Sequence, residues 1–239
     1  NQGCYQTFQN GYTLDPDHLH SPYLEKTTLA ALVVSRDSYE YLSYAFPALP
    51  LFRVHQSIDP RRYSYQQRKK RLISFSTHKH PEEIIQVINL LKQRGAFKGY
   101  RLMPIVNRTE EDTARIMRES LIFLSFGYPE GFSLPPAEAM ACGTLVIGYD
   151  GMGGKEYFDP SFSFPVPHGD ILAFAKTVEH VLAGYCRDPR PFDAMRKSAS
   201  RFILSHYTPE KERNDIIRFW HSFLPQSLRD SSHSLYRLH

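Results

Sequence analysis

From Arg71 onward the chain alternates between short apolar runs and stretches with helical spacing, and this rhythm restricts the fold more than any other feature. Arg71–Ser76 (RLISFS) reads as a strand. Pro81 then takes a first helical position, and Ile84, Val87, Ile88 and Leu91 form one apolar stripe before Gly95 stops the helix. Arg101–Val106 reads as a second strand despite Pro104, which suits an edge better than a centre. Thr109 precedes Glu110, Glu111 and Asp112 in the pattern of a capped helix start, with Ile116 and Met117 as that helix's apolar contacts. Leu121–Phe126 (LIFLSF) and Leu145–Tyr149 (LVIGY) read as two further strands, separated by a short helix over Pro136–Cys142 that Gly143 ends. Asp170 caps another helix whose inner face carries Ile171, Phe174, Val178 and Val181. This spacing predicts an α/β fold, a parallel Rossmann-like sheet with helices on both faces. Sheets of this kind bind ligands outside the carboxyl ends of their strands.

The flanking segments are less regular. Leu29–Ser35 is expected as a strand, with Ser35 capping a short helix that follows, and Leu51 opens a strand that runs into a loop. We divide the chain into a remnant of an N-terminal domain (1–60), a solvated basic linker (61–70), a ligand-binding domain (71–207) and a crossing C-terminal helix with a tail (208–239). The helix Pro209–Leu224 carries Ile216, Ile217 and Trp220 as its apolar contacts, and the Ser- and Arg-rich tail from Gln226 is expected to fray. Residues 1–60 hold too little apolar sequence to cover their own strand. The start at Asn1 adds to the expectation that upstream sequence or a second copy of the chain covers that face.

Composition excludes several classes. A net charge of +4 over 239 residues is too mild to predict a nucleic-acid partner. No apolar run approaches the roughly 18 residues of a membrane span. The three cysteines, Cys4, Cys142 and Cys186, form no paired motif, which fits a reduced, cytoplasmic setting. The basic run at 61–71 leaves a peripheral place at the inner face of a membrane open. His18 with His20, and His78 with His80, are spaced two apart, but without an accompanying ligand set we expect no metal site.

The segment most loaded with chemistry is Glu130–Thr144 (EGFSLPPAEAMACGT), directly after LIFLSF. Gly131 permits close backbone approach, and Pro135-Pro136 set the entry into a helix whose first N–H groups face the crevice. Glu138 is placed in the first turn of that helix, suited to accept hydrogen bonds from sugar hydroxyls, while Glu130 stands before the loop. Two carboxylates about a phosphate cradle point to a nucleoside diphosphate bearing a sugar.

EGFSLPPAEAMACGTLVIGYDGMGGKE resembles the donor-site signature of the large bacterial group of retaining GT-B glycosyltransferases, in which two glutamates are separated by seven residues as Glu130 and Glu138 are. The resemblance spans most of residues 29–224. It implies transfer of a hexose from a nucleoside-diphosphate sugar, with uridine as the default base, to a saccharide or lipid-linked acceptor, without metal or other cofactor. It implies roles as well. Glu138 would hold the ribose hydroxyls and Glu130 the donor sugar. The amides of Phe132, Ser133 and Leu134 would meet sugar and diphosphate, Gly153-Gly154 would lie near the donor sugar, and Val106 and Asn107 would hold the base. Lys79, helped by His78, would neutralise the departing diphosphate. Two positions depart from the group's pattern: His78 stands where it usually has arginine, and Ser133 where it has glycine. A nucleotide-sugar-binding module without transfer activity, and a glycoside hydrolase using the two glutamates, are the alternative readings.

Overall fold

The structure is a computed structural model that describes residues 3–8, 21–77 and 79–223. His18, His20, His78 and the tail beyond Phe223 fall outside those residues.

Two parallel sheets organise the chain. The smaller pairs β1 (Ala31–Val33) with β2 (Leu51–Arg53), joined by α1 (Arg36–Ala45). Ser35 is the cap of α1, its hydroxyl accepting from the N–H of Ser38. The larger sheet has five strands in the order β4-β3-β5-β6-β7, formed by β3 (Lys70–Ser76), β4 (Arg101–Ile105), β5 (Ser120–Phe126), β6 (Leu145–Tyr149) and β7 (Phe164–Pro165). Pro104 is tolerated because β4 lies at the edge.

Helices cover both faces of the larger sheet. Leu72 and Phe123 point to the face of α3 (Glu110–Glu119), α4 (Leu134–Ala141) and α6 (Pro189–His206), while Ile73, Ile122 and Leu124 point to the face of α2 (Pro81–Gln93) and α5 (Ile171–Arg187). That alternation is the period-two signature of strands buried on both faces. The predicted signals act as read: Thr109 caps α3 by accepting from the N–H of Asp112, Asp170 caps α5 through Ala173, and Gly143 leaves α4 at φ +71.

Three expectations are corrected. The helix after the Glu130 loop begins at Leu134, two residues early, because the fixed φ of proline suits a first turn. Glu138 therefore lies in the second turn of the helix and not in its first.

The basic stretch is only partly solvated. Tyr63 is 3% exposed, and the Lys69 ammonium donates to Arg118 O at 2.8 Å, Cys142 O at 2.9 Å and Thr144 Oγ1 at 2.9 Å. Arg196, 2% exposed, reaches the carbonyls of Gln66 at 2.8 Å, Gln67 at 2.9 Å and Gly143 at 2.6 Å. Cations enter a core when enough fixed oxygens replace their water, and helix and loop carbonyls supply them here. Burial still pushes the Lys69 ammonium down to about 7.

The closing helix α7 (Pro209–Phe223) packs by another face than expected. Phe219 and Phe223 meet Phe52 of β2 at ring distances of 5.2 and 5.8 Å, leaving Ile216 and Trp220 exposed. Asp215, one helical turn before Phe219, accepts from the His55 backbone N–H at 2.9 Å and completes that face. Among the described residues no helix is long and apolar enough to cross a membrane, and all three cysteines are free.

Candidate functional site

The larger sheet reverses its winding direction between β3 and β5, since the chain steps from β3 outward to β4 and then returns to the other side for β5. Crevices open at the carboxyl ends of strands at such a reversal. The two loops that meet there are the one after β3, carrying Lys79, and the one after β5, carrying Glu130. They are joined by an ion pair between Lys79 Nζ and Glu130 Oε2. At 42% and 23% side-chain exposure the pair faces open cleft, not core.

Glu130 is held from two further sides. Its other oxygen accepts from the Ser133 hydroxyl at 2.7 Å. Its backbone is fastened to the loop after β6: Glu130 N–H donates to Gly151 O at 3.0 Å, and Gly153 N–H donates to Glu130 O at 3.2 Å. A side chain at Gly153 would collide with the Gly131 carbonyl, so that crossing requires glycine. The close approach expected of Gly131 is therefore made against Gly153, and Gly131 keeps an ordinary negative φ. Phe132 anchors the loop from beneath, its ring 5.3 Å from Tyr157 and 5.1 Å from Tyr207, while the Tyr157 hydroxyl donates to Ser133 O.

Glu138 sits on α4 at the opposite wall. Burial pushes its carboxyl up to about 7, opposed by the nearby Tyr63 hydroxyl of the basic stretch. Tyr63 itself is pushed well up by its burial and by the facing carboxylate.

Lys79, Glu130, Phe132, Leu134, Pro135 and Glu138 line a cleft of about 440 Å³ whose far side is Val34 and Gln56, next to the smaller sheet. The first turn of α4 has less anion-binding capacity than the sequence suggests. Of the four N–H groups that a helix start leaves without helical partners, Pro135 and Pro136 have none, so Ser133 and Leu134 supply the remaining two. Any anion bound here depends on those amides and on Lys79.

The structure thus assembles Lys79, Glu130, Phe132, Leu134 and Glu138 around one space, with the buried Ser133 behind Glu130. Val106 and Asn107 follow β4 on the outer side of β3 and do not line that cleft, although Asn107 adopts a left-handed φ of +48 at the strand's end. His78 lies outside the described residues. Tyr63 is the site residue that sequence reasoning missed, since a tyrosine in a basic run gives no sign of packing against α4.

Residues 87–198 match the family model for Glycosyl transferases group 1. The chain carries a domain of that family. The chain is 28% identical over 160 residues to the Alpha-1,6-glucosyltransferase of Actinobacillus pleuropneumoniae serotype 7, covering 58% of this chain and 48% of that one. A shorter match, 35% over 65 residues, reaches a putative glycosyltransferase of Acidianus filamentous virus 2, covering 27% of this chain and 19% of that one. The chain spans about half the length of the first of these relatives and less of the second.

Among solved structures, sucrose-phosphate synthase from Thermosynechococcus elongatus superposes with a TM-score of 0.62 at 16% identity, over 80% of this chain and 57% of that one. HepE from Anabaena, in complex with UDP and glucose, gives 0.63 at 12% identity, over 81% and 63%. The group 1 domain has the fold of GT-B glycosyltransferases.

Proposed function

We propose that the cleft between Lys79, Glu130 and Glu138 binds a nucleoside-diphosphate sugar, with UDP-glucose as the first donor to test. We further propose that the whole protein transfers its hexose, with retention, to a hydroxyl of a saccharide or lipid-linked acceptor. The observation that carries this reading is the Lys79–Glu130 ion pair at the sheet's reversal point, with Glu138 across the loop. The HepE structure, which holds UDP and glucose, supports the choice of donor.

In this reading Glu138 accepts from the ribose hydroxyls, and the amides of Ser133 and Leu134 meet the diphosphate. Lys79 exchanges its bond to Glu130 for the diphosphate and stabilises the charge that grows as the sugar C1–oxygen bond breaks. Glu130, freed and still oriented by Ser133, takes the sugar hydroxyls. The acceptor oxygen joins C1 on the face from which the diphosphate departs, and its proton passes to a phosphate oxygen.

A thermal-shift panel of UDP-, GDP- and ADP-sugars tests the donor, and NMR of the product's anomeric configuration tests retention. Stabilisation by a nucleoside diphosphate supports the reading and excludes a glycoside hydrolase, whereas no response to any of the three contradicts it.

The second reading, binding without transfer, is favoured by one observation: the smaller sheet has two strands among the described residues, a slight platform for an acceptor. Stabilisation by a donor, with no product formed when acceptor and any upstream sequence are supplied, would select it.

A further inference from the structure

The two helices on one face of the larger sheet, α2 and α5, start side by side at its carboxyl edge, and three ligand-type residues converge there. His80 immediately precedes α2, Glu83 lies in its first turn, and His168 comes from the turn before α5, where Asp170 N–H donates to Pro167 O at 3.1 Å. One donor atom from each lies within 4.8 Å of the others. The His80 and His168 rings are 5.0 Å apart, and His80 Nδ1 is 3.5 Å from Glu83 Oε1.

Three features separate this group from a chance meeting of surface side chains. His80 occupies the cap position of α2 in a left-handed conformation, φ +48, without capping the helix, a costly backbone state for a residue with a side chain. Its Nε2 and the Oε2 of Glu83 are both buried with no hydrogen-bond partner. The Tyr149 hydroxyl is a third such atom, and its ring is 5.0 Å from that of His168. It faces the Glu83 carboxylate, outside hydrogen-bond geometry. Buried polar atoms seldom go unpaired, each costing roughly 1–3 kcal/mol, so this corner of the fold is short of hydrogen-bond partners.

We propose that His80, Glu83 and His168 form a site for a divalent ion of the zinc class, beside the donor cleft and separate from it. Two imidazoles and a carboxylate are a borderline-soft donor set, which suits such an ion and not magnesium or calcium, whose ligands are oxygens. Donors about 2.1 Å from one ion can be at most about 4.2 Å apart. The observed spread closes with a shift of several tenths of an ångström, which the exposed His168 is free to make. The positive ends of α2 and α5 oppose a cation here, and Glu82, Glu83 and Asp170 offset them. Because Lys79 directly precedes His80, the ion would pin the α2 start to the turn at 167–169 and so steady the loop that presents the lysine.

The test uses the untagged full chain, stripped with a chelator and titrated with zinc by calorimetry and with cobalt(II) by visible absorption. Parent, His168→Ala and Glu83→Gln proteins are compared, with circular dichroism to check their folding. One site is expected in the parent, with a tetrahedral-type cobalt spectrum and a zinc-dependent rise in unfolding temperature. Affinity should fall about 100-fold in His168→Ala, with the temperature rise lost. Absence of binding in the parent overturns the proposal, as would a water filling the gap. Binding with the same cobalt spectrum in His168→Ala also overturns it, placing the ion among others of the chain's 11 histidines.

Discussion

Glu130 and Glu138 are the same residue type, separated by seven positions, yet the fold gives them opposite surroundings. Glu130 stands in the cleft with a lysine on one oxygen and a hydroxyl on the other. Glu138 is set into the wall, desolvated, with the Tyr63 hydroxyl beside it. The first arrangement suits a group that exchanges partners during a reaction. The second suits one that grips a fixed part of a ligand and whose charge depends on pH. In the proposed function, identical side chains would be divided between reacting end and nucleotide by what lies behind them.

The largest effect expected from breaking this division is at Lys79. Lys79→Ala should lower transfer by about 10²–10³-fold, as loss of one transition-state donor does, with smaller change in donor KM. Steady-state kinetics with an acceptor check it, and a raised donor KM with kcat unchanged would make Lys79 a mere binding group.

Next is Glu138→Ala, which should weaken nucleotide binding by about 1.5–3 kcal/mol, as charged hydrogen bonds do. Calorimetry showing parental affinity would remove Glu138 from the site. Ser133→Ala should cost about 1 kcal/mol in transition-state stabilisation by releasing Glu130, and leave the affinity for the nucleoside diphosphate unchanged.

The smallest effect is a shift on the pH axis. The Glu138 value of about 7 lies above the 4.5 of an unperturbed glutamate, so the folded chain holds an extra proton between the two. Its contribution to stability is present below about pH 4.5 and is lost as pH rises through about 7. Nucleotide binding runs the other way: the carboxylate accepts from both ribose hydroxyls, so affinity should climb between about pH 6 and 8. A dominant His78 contact to the diphosphate would give the reverse slope, because an imidazolium is lost over that range. Tyr63→Phe removes a hydroxyl that favours the charged form and should move the midpoint up by roughly half a unit to one unit. A binding profile falling with pH would assign the titration to His78 instead.

Local punctuation made much of the fold legible. Pro81, Thr109, Gly143 and Asp170 each act through their own few neighbours, and so the sequence around them suffices. The positions that resisted reading depend on distant partners. The Lys69 ammonium is drawn inward because residues 118, 142 and 144 bring oxygens to it, and nothing in QQRKKR announces them. Glu138 could be picked out by its spacing from Glu130, but its desolvation and the role of Tyr63 follow from how that basic stretch folds back onto α4. His168 and His80 are likewise 88 positions apart in sequence, and the pairing of α2 with α5 alone makes them neighbours.

The measurement that tests the division of labour most directly is a calorimetric comparison of UDP with UDP-glucose on Glu130→Gln and Glu138→Gln proteins. The account predicts that Glu138→Gln weakens both ligands alike. Glu130→Gln should weaken UDP-glucose alone, and UDP should bind as well or better because Lys79 no longer has a competing carboxylate. Loss of UDP affinity in Glu130→Gln, with Glu138→Gln unaffected, would contradict it.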